Sequence, residues 1–321
     1  MVDAAVWDIG YLIAAALFII GIKRLSSPRT APQGNRLGSM GMLLAVVITL
    51  VRMQSEGIIG WELIVGGLAI GAIIGALMAT RVEMTGMPEL VALFNGFGGG
   101  ASALVALSEV LGRLEHGNVP DAGIELYAVW VAIGLSGIVG WVTLTGSLVA
   151  MMKLKGGFYI PFSKKDDRGR PKWVSFPTWG PSWLNAAKVL LLTASFALIW
   201  MTIDDPTNKD YIWMIVAFSS LLGILFVLPI GGADMPVVVS LLNSLSGIAA
   251  AFTGFVIGNN VLIIAGSMVG AAGLILTFIM CKAMNRTLPD VLFKAFGGSA
   301  EKDQLTRTKV GSDPEEVAMV L

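Results

Sequence analysis

Two asparagines, Asn95 and Asn243, hold the same place in a repeated motif. Residues 87–99 read MPELVALFNGFGG and residues 235–247 read MPVVVSLLNSLSG. At an offset of 148, Met87, Pro88, Val91, Leu93, Asn95 and Gly99 meet Met235, Pro236, Val239, Leu241, Asn243 and Gly247. Each motif sits in an apolar run, where an amide needs a hydrogen-bond partner or water. Two chemistries are open to such a pair: glue between helices, or the walls of one polar path. Proline is tolerated in a first helical turn, where its missing N–H leaves nothing unpaired. Pro88 and Pro236 therefore mark helix starts, and each asparagine lies about 12 Å further along its helix. That depth is near the middle of a bilayer core roughly 30 Å thick.

Other residues that could do chemistry are few. Gly96, Gly98 and Ala101 spell G-x-G-x-x-A, a phosphate-cradling pattern. No strand precedes it and it lies inside a helical run, so the match is one of chance. Gly96, Gly98, Gly99 and Gly100 instead clear space beside Asn95 for a neighbouring helix or water. Among the charged residues, Asp8, Glu62 and Glu109 fall toward outer helix ends and are expected to reach the interface. Glu89 and Asp234 fall at helix N-termini, where the dipole favours carboxylates; they read as caps or as contacts with something cytosolic. Lys188 is near the inner end of its helix and is expected to snorkel. The single histidine, His116, reads as a solvated loop residue. One cysteine, Cys281, excludes an internal disulfide and cannot build a metal site alone. No Ser-His-Asp set, metal cluster or covalent nucleophile is evident, so the chain alone does not read as a complete enzyme.

The elements that carry these residues follow from composition. The chain has 321 residues, 55% of them hydrophobic and 14% charged, with mean hydropathy +0.78. Apolar runs of about 20 residues recur, each long enough to cross a membrane. The fold class is all-α, a polytopic membrane helix bundle. Nine spans are expected near 5–22, 38–52, 57–80, 87–111, 126–152, 185–203, 211–228, 235–257 and 261–283. With the N-terminus outside and the C-terminus cytosolic, inside loops hold 18 Lys and Arg and outside loops three, with Lys188 completing the 22. Positive-inside sorting gives that asymmetry when the spans are counted correctly. Both MP motifs then run inside to outside, so the repeat is parallel, unlike the inverted halves of many secondary transporters. Gly75 also matches Gly223 in the repeat. Gly67, Gly71 and Gly75, and Gly266 with Gly270, read as close-packing seams. The loop 153–184 is basic and rich in tryptophan. It reads as an interfacial connector with Trp173, Trp179 and Trp183 at headgroup level, or as a dock for a soluble partner. In the tail, Pro314, Glu315 and Glu316 would open a helix too short to stand alone, so the natural chain is expected to continue. Net charge is zero, and no basic, aromatic-interleaved surface points to nucleic acid.

MPELVALFNGFGGGASA, TGSLVAMMKLKG, LPIGGADMPVVVSLLNSLSGIAAAFTGF and AGSMVGAAGLILTFIMCKAMNRTLPDVL closely resemble the beta subunit of proton-translocating NAD(P) transhydrogenases. The likeness covers nearly the whole chain, apart from parts of the 157–184 loop. It implies the membrane part of an enzyme that couples inward proton movement to hydride transfer from NADH to NADP+, in the bacterial inner membrane. It also implies a division into a proton-channel domain, 1–286, and a cytosolic linker, 287–321, leading to an NADP(H)-binding domain. No cofactor is expected on residues 1–321 themselves; NADP(H) and NAD(H) belong to the complete complex, the latter with an alpha subunit. The family's channel asparagine falls on Asn243. Many members carry a membrane histidine where this chain has Asn95, so a membrane helix of the alpha subunit is expected to supply it. Ser147 and Gly273 resemble positions lining or packing the channel. Asp234 and Arg286, with Glu89, resemble inner-surface positions that communicate with the nucleotide domain. A homodimer of the complete complex is a further family expectation. The rival readings are a standalone proton- or ion-coupled transporter and a structural membrane anchor.

Overall fold

A computed structural model describes residues 4–55, 60–116, 124–156, 158–159, 173–174, 180–181, 183–205 and 208–293. The tail from 294 to 321, Trp179 and the His116 side chain lie outside the described residues. Among these described residues ten α-helices follow in order: α1 Ala4–Leu25, α2 Ala31–Ser55, α3 Trp61–Arg81, α4 Met87–His116, α5 Ile124–Leu154, α6 Trp183–Asp204, α7 Lys209–Val227, α8 Met235–Val256, α9 Asn260–Ala283 and α10 Leu288–Phe293. Among the described residues α1 to α9 are long and apolar enough to cross a membrane. In the 153–184 loop, β1 (Phe158–Tyr159) pairs antiparallel with β2 (Trp173–Val174), and Trp183 opens α6. The architecture is the expected all-α bundle.

Local chemistry sets the helix ends. Short 3-10 turns at Met84–Gly86 and Gly232–Asp234 lead into α4 and α8, each with its proline in the first turn. The Asn208 and Asn259 side chains cap α7 and α9 by accepting from Asp210 N and Leu262 N. Beyond α9, Asn285 takes a left-handed φ of 54°. Arg286 N then reaches Cys281 O at 2.9 Å and Asn285 N reaches Lys282 O at 3.1 Å. This Schellman closure turns the chain sharply into α10.

Two features differ from the sequence reading. Helix α2 begins at Ala31 rather than near 38. Its polar opening, PQGNRLG, has little hydropathy, but close glycine contacts hold it to α1. A Cβ on Gly34 would lie 2.7 Å from Gly21 O, and one on Gly21 would lie 3.2 Å from Gly38 N. The second difference concerns α3. The expected seam of Gly67, Gly71 and Gly75 meets no helix among the described residues, where no atom lies within 4 Å of a Cβ built on any of them. Gly223, the repeat partner of Gly75, is instead tight; a Cβ there would meet Val142 O at 2.5 Å. Small residues permit close approach; they do not say what approaches.

The centre of the bundle is α4, α5, α7, α8 and α9, with α6 behind α7. Helix α8 is the most enclosed, with 56% of its most apolar stretch buried, against none of α3. One apolar cluster joins Val110, Trp130, Ile133, Ile199, Ile215 and Val256. A second lies at the basic end, where α5 and α9 finish, and joins Val227, Ile230, Met235, Leu242, Cys281 and Val291. Large apolar side chains such as Leu63 and Leu190 face outward, 82% and 68% exposed, as a lipid-facing surface requires.

The repeat is visible as a repeated crossing. Gly140 on α5 meets Gly99 O and Ala103 on α4; Gly266 on α9 meets Gly247 O and Ala251 on α8. Gly99 and Ala103 stand at the same offset from Gly247 and Ala251 as the two asparagines do from each other. The Gly266–Gly270 seam is therefore packed as read from sequence, with Gly247 inserted against both glycines.

Candidate functional site

Asn95 is the hub of a polar cluster shared by three helices. Its Nδ2 donates to Ser147 Oγ of α5 at 3.0 Å, and its Oδ1 accepts from Ser246 Oγ of α8 at 2.7 Å. Ser246 Oγ also lies 2.8 Å from Asn243 O, one turn back on the same helix. Gly96 makes the approach possible, because a Cβ there would lie 2.9 Å from Ser147 Cβ. Gly99 and Gly100 similarly admit Thr143 and Leu144, while Gly98 faces open space. Asn95, Asn243 and Ser246 are half-buried and Ser147 is fully buried. The two asparagine side chains do not bond each other; Ser246 links the Asn95 amide to the Asn243 backbone carbonyl. Among the described residues the Asn243 side chain makes no hydrogen bond, which leaves a donor and an acceptor for water or a partner.

A second hydroxyl layer lies seven residues along the same seam, about 10 Å away. Ser136 Oγ and Thr253 Oγ1 are 2.6 Å apart, and both lie 3.4 Å from Ser102 O. The pairs Asn95–Ser246 and Ser102–Thr253 share one sequence separation, 151. A constant separation means that α4 and α8 run parallel and in register, as the repeat implied. Between α8 and α9, Ser244 Oγ donates to Gly270 O at 2.6 Å and Thr277 Oγ1 to Ser240 Oγ at 3.0 Å. Gly273 packs on Ser244, and its carbonyl accepts from Thr277 Oγ1 at 2.8 Å and Ser240 Oγ at 3.4 Å. Gly273 thus belongs to the α8–α9 contact and not to the Asn95 cluster.

A groove of about 520 Å³ separates the α1–α2 hairpin from α4, α8 and α9. It runs from Leu25 and Gly34 at the basic end to Tyr11 and Asn259 at the other, and Gly98 and Ser246 line it midway. A further cavity of about 480 Å³, lined by Asp8, Arg52 and Asn260, shares Tyr11 and Asn259 with it. The Asn95 cluster therefore has a dry side, toward α5, and an open side, toward the groove.

At the basic end, Arg286 Nη1 pairs with Asp234 Oδ2 at 3.2 Å. The Asp234 side chain is 11% exposed and that of Arg286 49%. Asp234 is positioned at the N-cap of α8 yet makes no capping bond; its carboxylate turns to Arg286 instead. Glu89 is half-buried in the first turn of α4, with no hydrogen bond or ion pair to Asp234 or Arg286. Lys153 Nζ donates to Val227 O at 3.2 Å, to Ile230 O at 2.8 Å and to Leu228 O, closing the end of α7 above that pair. Lys188 departs from its expected role. It is 5% exposed and donates to Leu292 O rather than snorkelling to water. Glu109 is ion-paired to Arg113 at 2.8 Å on the surface of α4. Among the described residues no three His, Cys, Asp or Glu side chains gather as metal ligands.

Sequence reasoning placed Asn95, Asn243 and Ser147 in one seam but missed Ser246. In the repeat Ser246 aligns with Gly98, so a hydroxyl in one half answers empty space in the other. Its spacing of three from Asn243 was the available signal, since such residues share a helix face.

Comparison with known proteins identifies the family. The family model "NAD(P) transhydrogenase beta subunit" matches residues 7–321. The NAD(P) transhydrogenase subunit beta of Rhodospirillum rubrum is 41% identical over 287 residues, covering 89% of this chain and 57% of the relative. A second Rhodospirillum rubrum sequence of the same name gives the same figures. The chain thus spans 57% of the length of these curated relatives. The nine apolar helices among the described residues and these matches make it a multi-pass membrane protein. A match of that extent settles its membership: the chain belongs to the NAD(P) transhydrogenase beta subunit family.

Proposed function

We propose that this chain is the proton-translocating membrane part of an NAD(P) transhydrogenase, coupling inward proton movement to hydride transfer from NADH to NADP+. Its place is the bacterial inner membrane, with the N-terminus outside and the basic end cytosolic. Residues 1–286 form the channel domain, and 287–321 lead toward the NADP(H)-binding domain of the complete protein. Both nucleotide sites lie outside residues 1–321, the NAD(H) site on the alpha subunit. The complete complex works as a homodimer.

The observation that carries this reading is the Asn95 amide, bonded on both sides by Ser147 and Ser246, with Ser246 itself lining the groove. Amides and hydroxyls orient water but do not change charge near neutral pH, so a titrating group has to come from elsewhere. A membrane helix of the alpha subunit, seated along the groove, would present a histidine to Ser246 and Asn243. The groove runs along the bundle from Leu25 and Gly34 to Tyr11 and Asn259, and Gly98 leaves room beside it. Protonation of that histidine alters the helix contacts at the seam. Helix α8 carries the change from Asn243 to Asp234 at its start, and so to Arg286. The nucleotide domain reads the state of that end. By linkage, the nucleotide's redox state shifts proton affinity by the same free energy.

Asn243→Leu in the reconstituted complete complex tests the path. Proton uptake should vanish while hydride exchange between bound nucleotides persists. Unchanged uptake removes Asn243 from conduction.

A further inference from the structure

Lys188 is a buried cation that the proton path does not use. It is 5% exposed, and among the described residues no carboxylate lies within ion-pair distance of it. Burying an ammonium is costly unless it is fully coordinated. Its coordination here is unusual. Nζ donates to Leu292 O at 3.3 Å and to Asn185 Oδ1 at 3.4 Å, and lies 5.9 and 6.0 Å from the ring centroids of Phe293 and Phe226. Asn185 Nδ2 in turn donates to Phe293 O at 3.1 Å. The acceptors are the last two carbonyls of α10, which have no partner within that helix.

Helix α10 has six residues, too few to persist alone. Three fastenings hold it. At its start, Thr287 Oγ1 bonds Asp290 Oδ2 at 2.5 Å and accepts from Asp290 N at 3.3 Å. In its middle, Val291 is fully buried in the basic-end cluster with Met235 and Cys281. At its end stand Asn185 and Lys188. A cation facing exposed carbonyls is favoured, and two aromatic faces add to that. When α10 lifts, the cation loses the Leu292 carbonyl and the Phe293 ring and keeps only Asn185 Oδ1 and the Phe226 ring. The contact is therefore made or broken as a unit.

We propose that Lys188 and Asn185 form a latch holding the end of α10 to α6. The latch fixes the point from which the chain beyond Phe293 starts. Arg286 stands two residues before α10, so the latch ties the Asp234–Arg286 pair to α6 through a fastened element. Lys188 is thus a positioning residue for coupling; that part rests on the transhydrogenase reading, whereas the latch itself does not.

The test compares wild type, Lys188→Met, Lys188→Arg and Asn185→Leu in the complete complex in lipid. Amide hydrogen exchange over 288–293 reads the latch. Proton-coupled hydride transfer, set against hydride exchange that moves no proton, reads coupling. Losing a hydrogen bond to a charged group should speed α10 exchange about tenfold in Lys188→Met and slow coupled transfer by about as much. Proton-independent exchange should stay within about twofold of wild type, and Lys188→Arg should restore most of both losses. Should Lys188→Met fail to assemble, Asn185→Leu decides on the same readouts. Unchanged α10 exchange removes the latch, whatever reaction the complex performs. Faster α10 exchange with full coupled transfer removes its part in coupling. Absent coupled transfer in the wild-type complex would count against the transhydrogenase reading and leave the exchange result standing.

Discussion

Gly247→Ala should force α8 and α9 apart at their crossing. A Cβ at Gly247 would lie 2.5 Å from Gly270 N, 2.9 Å from Gly266 O and 3.0 Å from Gly270 Cα. All three atoms are backbone, so no side chain can swing aside. The helices must separate by about 1 Å to reach ordinary contact near 3.5 Å. Ser244 Oγ and Gly270 O, now 2.6 Å apart, and Ser240 Oγ and Gly273 O, now 3.4 Å apart, span that same contact. A separation of about 1 Å carries both past hydrogen-bond range. Overpacking costs about 1–3 kcal/mol and each lost interhelical bond about 0.6, for a total near 2–4 kcal/mol. Gly71→Ala is the control, since nothing lies within 4 Å of its Cβ. It should be neutral, or stabilising by up to about 1 kcal/mol through helix propensity. Thermal or denaturant unfolding of both variants in lipid nanodiscs measures the difference. A Gly247→Ala protein within about 0.5 kcal/mol of wild type, or a Gly71→Ala protein equally damaged, would refute the packing argument.

Ser246→Ala removes the hydroxyl between Asn95 and α8. It should cost about 0.5–1 kcal/mol in unfolding experiments yet sharply lower proton uptake, because the bridge itself is lost. Arg286→Gln leaves the mostly buried Asp234 carboxylate without its cation. Destabilisation of about 1–2 kcal/mol is expected, moderated by the half-exposed Arg286, and the Asp234–Arg286 coupling in a double-mutant cycle should shrink with added salt. Gly98→Leu puts a side chain into the groove where the bundle has room for it. Unfolding should be little changed, while co-purification of the alpha subunit falls.

Much of the fold was legible because its signals are local. The two MP starts, the apolar runs and the loop charges identify nine helices with few competing readings. The parallel repeat followed from both MP motifs coming after inside loops, and the matched pairs Asn95–Ser246 and Ser102–Thr253 carry it into space. What could not be read depends on neighbours far along the chain. The early start of α2 rests on Gly34 and Gly38 against Gly21, a contact that hydropathy does not register. The glycines of α3 look like those of α9, yet only the α9 set meets a helix within the chain. Lys188 resembles any interfacial lysine until α10 folds back over it, which requires the left-handed turn at Asn285. Ser246 went unnoticed because the repeat pairs it with a glycine.

Proton uptake by sealed proteoliposomes holding the complete complex, compared between wild type and Asn95→Leu, bears most directly on conduction through the mid-depth seam. Leucine shares asparagine's branching at Cγ and removes both the donor to Ser147 and the acceptor from Ser246. Uptake should fall about a hundredfold or more, the range expected when a positioned proton-transfer group is lost, with proton-independent hydride exchange unaltered. Uptake that stays within about twofold of wild type in an assembled Asn95→Leu complex, far short of that range, would contradict it.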